Sequence, residues 1–169
     1  MKVLITGAAG FIGSQLLEAL AVQHPEWTLI ASDIRPLNPQ ALRPNVEAAL
    51  LDIGKREAVL AAVAQHQPDA IVHLASVVTP PPGMGEDVLH TIDVEGTRSI
   101  LQAAVEHGVR QLIVTSSGAA YGYYPENAEW IDEHDPLRGH SKFAYAKHKR
   151  EVEEMLAQAR VKHPELRQL

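Results

Sequence analysis

Tyr145 and Lys149 stand four residues apart in Tyr145-Ala146-Lys147-His148-Lys149. On a helix that spacing places both side chains on one face. A phenol ordinarily loses its proton at about pH 10. A neighbouring ammonium stabilises the phenolate and brings that ionisation closer to neutrality. Such a tyrosine can take the proton of a substrate hydroxyl while hydride leaves the same carbon. Tyr and Lys at this spacing are commonplace, so the pair needs company. Thr115-Ser116-Ser117 supplies some: it ends an apolar run, and Ser117 is placed to hydrogen-bond the reacting oxygen.

Hydride transfer needs an acceptor, and the N-terminal residues read as its cradle. Thr6-Gly7-Ala8-Ala9-Gly10-Phe11-Ile12-Gly13 follows the apolar run Lys2-Val3-Leu4-Ile5 and opens a helix-like stretch, Ser14 to Val22. Strand, glycine-rich turn and helix form the context in which a dinucleotide pyrophosphate binds. Gly7 permits the tight turn, Gly10 lets backbone approach phosphate, and Gly13 lets helix pack closely on strand. The bland alternative is a strand-to-helix turn that binds nothing. Asp33 closes the second strand, twenty residues after Gly13. A carboxylate there accepts hydrogen bonds from both adenosine-ribose hydroxyls and repels a 2′-phosphate, which favours NAD over NADP. The same Asp also suits a plain strand-end turn, and the nearby Arg35 is a residue type that accommodates a 2′-phosphate. Asp52, followed by Ile53, ends a third strand and is in position to reach the adenine amino group.

These residues require alternating strands and helices to position them. Strands are expected at Val3–Thr6, Thr28–Ser32, Ala48–Asp52, Ala70–Ala75 and Gln111–Ser116. Helices are expected near Phe11–Gln23, Lys55–Gln65 and Glu86–His107, with a last one from about Phe143 to Val161. Continuous apolar strands such as Ala70-Ile71-Val72-His73-Leu74-Ala75 suit a parallel sheet buried on both faces, built from right-handed βαβ units. The fold expected is therefore α/β, a Rossmann-type doubly wound parallel sheet. His24, His66, His107 and His163 each fall at a predicted helix end beside Pro or Gly, where an imidazole meets the negative end of the helix dipole. They read as structural, and no His pair has metal-ligand spacing. Two stretches, Val77–Gly85 with Pro80-Pro81-Pro82-Gly83 and Gly118–Gly139, read as loops. Both follow strands, so both belong at the strand C-terminal edge, where ligands bind in open α/β sheets.

Composition narrows the class. The chain has 169 residues, 46% hydrophobic and 21% charged, enough for one globular domain. Its net charge of −6 argues against a nucleic-acid partner held by general electrostatics. No apolar run approaches the roughly 20 residues of a membrane span. The absence of cysteine excludes disulfides and thiolate metal sites and fits a cytoplasmic setting. Pro164–Leu169 reads as a turn and the start of a further strand, so the chain is expected to be the front part of a longer protein.

Taken in order, these segments resemble the extended short-chain dehydrogenase/reductase family, in its NAD-dependent epimerase/dehydratase branch. The matching stretches are Thr6–Gly13, Asp33, Asp52-Ile53, His73-Leu74-Ala75-Ser76, Asp93-Val94-Glu95-Gly96-Thr97, Thr115–Gly122 and Tyr145–Lys149. The resemblance implies that Gly7, Gly10, Phe11, Ile12 and Gly13 line the NAD pyrophosphate. It places Asp33 on the adenosine ribose, Asp52 and Ile53 at the adenine, and Leu74, Ala75 and Ser76 along the cofactor. It makes Ser117 the polariser of the substrate oxygen, Tyr145 the acid/base, and Lys149 the partner of the nicotinamide ribose. A nucleotide sugar or related polyol is the implied substrate. A homodimer through the helices at Glu86–His107 and Phe143–Val161 is implied too, with Val88, Leu89, Ile92, Ser99, Ile100 and Ala103 at helical spacing. The last strands and the small substrate domain of that family have no counterpart here. The family usually has Asn where Asp93 stands, and Tyr-Gly-x-Ser-Lys where this chain reads Tyr-Ala-Lys-His-Lys. Dehydratases usually carry Asp-Glu where Gly118-Ala119 stands, so epimerase or dehydrogenase chemistry is preferred. The alternative is an NAD-binding sensor or scaffold, or a fragment that binds NAD without turnover.

Overall fold

The computed structural model describes residues 1–169. Six strands form one all-parallel sheet: β1 (Lys2–Thr6), β2 (Thr28–Asp33), β3 (Val46–Leu50), β4 (Ala70–His73), β5 (Gln111–Val114) and β6 (Arg167–Gln168). Their order is β3-β2-β1-β4-β5-β6. The direction of winding reverses between β1 and β4, which opens a crevice at the C-terminal ends of those strands.

Successive strand residues point to opposite faces, and the core divides accordingly. Leu4, Ile30, Ile71 and Leu112 face one way and meet Val59 and Val63 of α2 (Arg56–His66), Ile100 and Ala104 of α4 (Gly96–Glu106), and Val152 and Leu156 of α5 (Ala144–Lys162). Val3, Ile5, Leu29, Ala31 and Val72 face the other way, against Leu17 and Ala21 of α1 (Phe11–Gln23). All four helix-end histidines fall where expected. His24, His107 and His163 are C-cap residues of α1, α4 and α5, and His66 is the last residue of α2.

Four elements differ most from expectation. The third strand runs over Val46–Leu50 rather than 48–52. It is the half-exposed edge strand, so its alternation is diluted, while the apolar Leu51 and Ile53 are buried beyond its end. Strand β4 stops at His73 and β5 at Val114, so Leu74–Ser76 and Thr115–Ser117 are loop residues at the sheet edge. The helix expected over 86–107 is interrupted. It consists of α3 (Glu86–His90), a π-helical turn at Thr91–Glu95 and α4. Gly96 packs on Ile53 so closely that a Cβ there would lie 3.0 Å from Ile53 Cδ1. The wider π turn swings Asp93 inward, a type of irregularity often found at functional sites.

Of the residues expected on a dimer face, Ser99, Ile100 and Ala103 are instead buried inside the chain, and Val88 is exposed. The final strand is two residues long, yet it is held in the sheet. Arg167 N–H donates to Arg110 C=O, and Leu169 both donates to Leu112 and accepts from Val114. No helix is long and apolar enough to cross a membrane.

Candidate active site

The β1–α1 turn is built by close backbone contact. Gly7 has φ of 71° and lies against the β4 end, where a Cβ would come within 2.8 Å of Ala75 N. Gly13 packs its Cα side directly on the Gly7 carbonyl, which leaves no room for a methyl group. Gly10 is the N-cap of α1 and provides no side-chain cap. The first N–H groups of a helix have no partner within it, so the Phe11 and Ile12 amides open the helix next to the crevice. Both side chains are exposed, Phe11 by 82%.

Above this turn lies a cleft of about 230 Å³ lined by Gly7, Gly10, Asp33–Arg35, Leu51–Ile53, Leu74–Val77 and Ile92. Eight sequence-predicted residues thus share one cavity: Gly7, Gly10, Asp33, Asp52, Ile53, Leu74, Ala75 and Ser76. Gly13 lies beneath the turn as a packing position. Ile34, Leu51, Val77 and Ile92 were not anticipated, because residues beyond a strand end and in a π turn leave no sequence period.

Asp33 is 7% exposed and braced on both oxygens. Ala9 N–H donates to Oδ2 at 2.9 Å, while Arg35 donates to Oδ1 through its N–H at 2.9 Å and its Nε at 3.3 Å. The Arg35 side chain itself is largely exposed. Asp52 turns inward differently, accepting from Gly54 N–H at 3.0 Å. The bare glycine floor, the open helix end and the fixed carboxylate suit the polarity of a dinucleotide, whose phosphates take N–H groups and whose ribose takes a carboxylate.

The Tyr–Lys pair lies on the other side of β4. Tyr145 is half-buried in the first turn of α5, with the Phe143 ring 5.9 Å away. Lys149 is 6% exposed, with Nζ 5.6 Å from the Tyr145 ring centre and donating to Thr115 C=O at 3.0 Å. Burial pushes the Lys149 ammonium below the ordinary lysine range, opposed by the negative charges of Asp93 and Glu153. Ser117 caps the short turn Gly118–Tyr121, which packs on α5. Its Oγ accepts from Ala119 N–H at 3.2 Å. The hydroxyl hydrogen is thereby left to donate elsewhere.

Behind both halves sits a relay that sequence reading missed. Thr97 Oγ1 donates to Asp93 C=O at 2.6 Å, so it accepts from His73 Nε2–H at 3.1 Å. His73 Nδ1 is then the acceptor for the Thr6 hydroxyl at 2.7 Å. His73 is held neutral, its pKa lowered to about 3 by burial and by the charge of Lys149. Because the unfolded chain binds this proton more readily, stability is expected to fall as pH drops from about 6.5 toward 3, by up to roughly 1.4 kcal/mol per unit. His73→Gln, compared with the wild type in thermal melts between pH 4 and 7, is expected to show a shallower acid slope. An unchanged slope would contradict this origin.

The sequence profile of the NAD dependent epimerase/dehydratase family matches residues 3–167. The chain belongs to that family.

Family relatives are consistent with the geometry. The chain is 35% identical over 146 residues to a uronate dehydrogenase of Pseudomonas putida, covering 86% of this chain and 51% of that one. It is 32% identical over 130 residues to a dTDP-L-rhamnose 4-epimerase of Burkholderia thailandensis, covering 72% and 36%. Among solved structures, UDP-glucose 4-epimerase of Thermus thermophilus in complex with NAD superposes with a TM-score of 0.79 at 27% identity, over 99% of this chain and 53% of that one. Uronate dehydrogenase of Agrobacterium tumefaciens superposes at 0.80 with 30% identity, over 97% and 57%. The chain spans between about a third and just over half the length of these relatives.

Proposed function

We propose that this chain carries the cofactor-binding and proton-transfer machinery of an NAD-dependent epimerase or dehydrogenase acting on a nucleotide sugar or a related polyol. The observation that carries this reading is the convergence on one sheet edge of the glycine cradle, the braced Asp33 and the Tyr145–Lys149 pair.

The backbone of Gly7 to Gly13 holds the pyrophosphate and Asp33 the adenosine ribose. Asp52 and Ile53 border the adenine, and Leu74–Ser76 flank the middle of the cofactor. Lys149 anchors the nicotinamide ribose. When bound, NAD supplies the hydride acceptor. Tyr145, as phenolate, takes the proton of the substrate hydroxyl, while Ser117 donates to the same oxygen and holds it in place. Lys149 Nζ lies 5.6 Å from the centre of the Tyr145 ring. In an epimerase the same groups serve the return step on the other face of the sugar carbon.

Isothermal titration with NAD+ and NADP+, followed by NAD reduction with uronates and nucleotide sugars, tests the reading. Binding of neither cofactor would sink it. Because the chain spans only part of its relatives, binding without turnover is the second reading, and the sugar panel separates the two. Asp33→Ser removes the carboxylate and frees Arg35. It is expected to weaken NAD+ binding about 10- to 100-fold, as loss of a charged hydrogen-bond partner does, and to narrow the preference over NADP+. An unchanged NAD+ to NADP+ ratio would contradict the role given to Asp33.

A homodimer also belongs to this reading. The groove between α4 and α5, lined by Leu101, Val105, Met155 and Ala159 and flanked by Arg98 and Lys162, supports it. Light scattering after gel filtration is expected to give twice the 18.5 kDa chain mass; a monomer at all concentrations would count against it.

A further inference from the structure

The first two turns of α5 carry positive charge that the candidate active site does not use. Acidic residues favour the start of a helix, where the dipole is positive. α5 has neither an acidic residue in its first turn nor a side-chain cap. Lys147, Lys149 and Arg150 all precede its first carboxylate, Glu151. Lys149 shares the face of Tyr145. Lys147 is two residues from Tyr145, about 200° around the helix, and with Arg150 it lines a second cavity.

This cavity, of about 400 Å³, lies between α5 and the end of the loop before it. Its walls are Tyr124, Arg138, His140, Ser141, Lys147 and Arg150, none of them shared with the cofactor cleft. Arg150 is tied to the loop, its Nη1 donating to Arg138 C=O at 3.2 Å. Its Nε is buried with no hydrogen-bond partner, the nearest carboxylate being Glu154 at 3.6 Å. Arg138 donates to the uncharged Asn127 Oδ1 at 2.9 Å. Lys147 pairs with Glu86 at 3.0 Å, which takes one of its three ammonium hydrogens. His140 Nδ1 accepts from Lys142 N–H at 3.3 Å, so Nε2 carries the ring hydrogen. Each lining side chain therefore offers a hydrogen, and none is an anion.

We propose that this cavity binds the phosphate group of a small phosphorylated metabolite, at a site separate from the cofactor cleft. Arginine, lysine and the uncapped start of a helix are the donors that phosphate takes. The cavity is larger than a bare phosphate needs, since a water molecule takes about 30 Å³ in the liquid. The rings of Tyr124 and His140, stacked with centres 5.5 Å apart, give the organic part of the ligand a flat wall. An extended polyanion does not suit the site. The chain has a net charge of −6, and five carboxylates stand between Glu126 and Asp135 on the same loop. The inference does not depend on the NAD reading.

Protein carrying 15N-labelled arginine, titrated with inorganic phosphate and with glucose 6-phosphate, tests the proposal. The Arg138 and Arg150 Nε–H signals are assigned by their absence in Arg138→Gln and Arg150→Gln. Glucose 6-phosphate is expected to shift the Arg150 signal saturably, with half-saturation at about 1 mM or below, and at least as tightly as inorganic phosphate. Arg138→Gln and Lys147→Gln are each expected to weaken that binding about tenfold, as loss of a charged hydrogen-bond donor does. Backbone amide shifts at Gly7–Gly13, where phosphate also has donors, are expected to be the same in both variants as in wild type. Three results would each overturn the proposal: an Arg150 signal that sodium chloride of equal ionic strength moves as far, phosphate-induced shifts confined to Gly7–Gly13, or inorganic phosphate bound with glucose 6-phosphate excluded. Should Arg138→Gln fail to fold by circular dichroism, Lys147→Gln decides alone, and wild-type affinity in that variant overturns the proposal.

Discussion

Tyr145→Phe is expected to lower NAD-dependent oxidation of a sugar substrate about 1,000-fold, within the range that a positioned acid–base group contributes. The substitution removes one oxygen and leaves the ring, so the contact with Phe143 and the Lys149 ammonium over the ring face is retained. NAD+ affinity is expected to stay within a few-fold of wild type. This separates chemistry from binding. A variant that oxidises sugars at the wild-type rate would remove Tyr145 from the mechanism, and one that loses NAD+ binding would make it a structural residue. The measurement is NADH formation followed by absorbance, with NAD+ titrated in parallel by calorimetry.

Gly7→Ala is expected to have the largest effect on the fold. The residue sits at φ 71°, a conformation that costs an L-residue about 1–2 kcal/mol. The added Cβ would also press on backbone at Ala75 N and Ala75 Cα, 2.8 and 3.0 Å away. That backbone has little freedom to give way. Leu74 N–H donates to Thr6 C=O at 3.2 Å, and Ala75 N–H donates to the Thr6 hydroxyl at 3.3 Å. Overpacking of this kind adds about 1–3 kcal/mol. The sum, about 3 kcal/mol, lowers the melting temperature of a domain of this size by roughly 10 °C, and NAD+ binding is lost with the turn. Gly83→Ala is the control. Its φ is 87°, but nothing lies within 4 Å of the added Cβ, so only the conformational part is expected. Equal melting temperatures for the two variants would show that contact with the β4 end is unimportant.

Much of this site could be read directly from residue order. The glycine fingerprint, Asp33 at the end of β2 and Tyr145 four residues before Lys149 depend on local geometry. A tight turn, a strand end and one helical turn each leave a fixed spacing in the chain. The parallel sheet was legible for a similar reason, since strands buried on both faces are continuous apolar runs. The edge strand β3 was misplaced by two residues because it is half-exposed, and its pattern no longer distinguishes strand from the buried Leu51 and Ile53 that follow it.

What residue order determined was the set of parts: a glycine-rich turn, a strand-end carboxylate, a tyrosine with a lysine one helical turn on, and the elements that bear them. Tertiary structure alone decided how the parts are joined. The π turn at Thr91–Glu95 has no signature in sequence period, because it arises where Gly96 must close on Ile53. It places Asp93 beside His148, 55 positions later in the chain, and against Ser76 and Val77. The relay from Thr6 through His73 to Thr97 likewise spans three elements. Contacts between residues so far apart are set by packing and by the demand that buried polar groups find partners, and neither is written in local spacing.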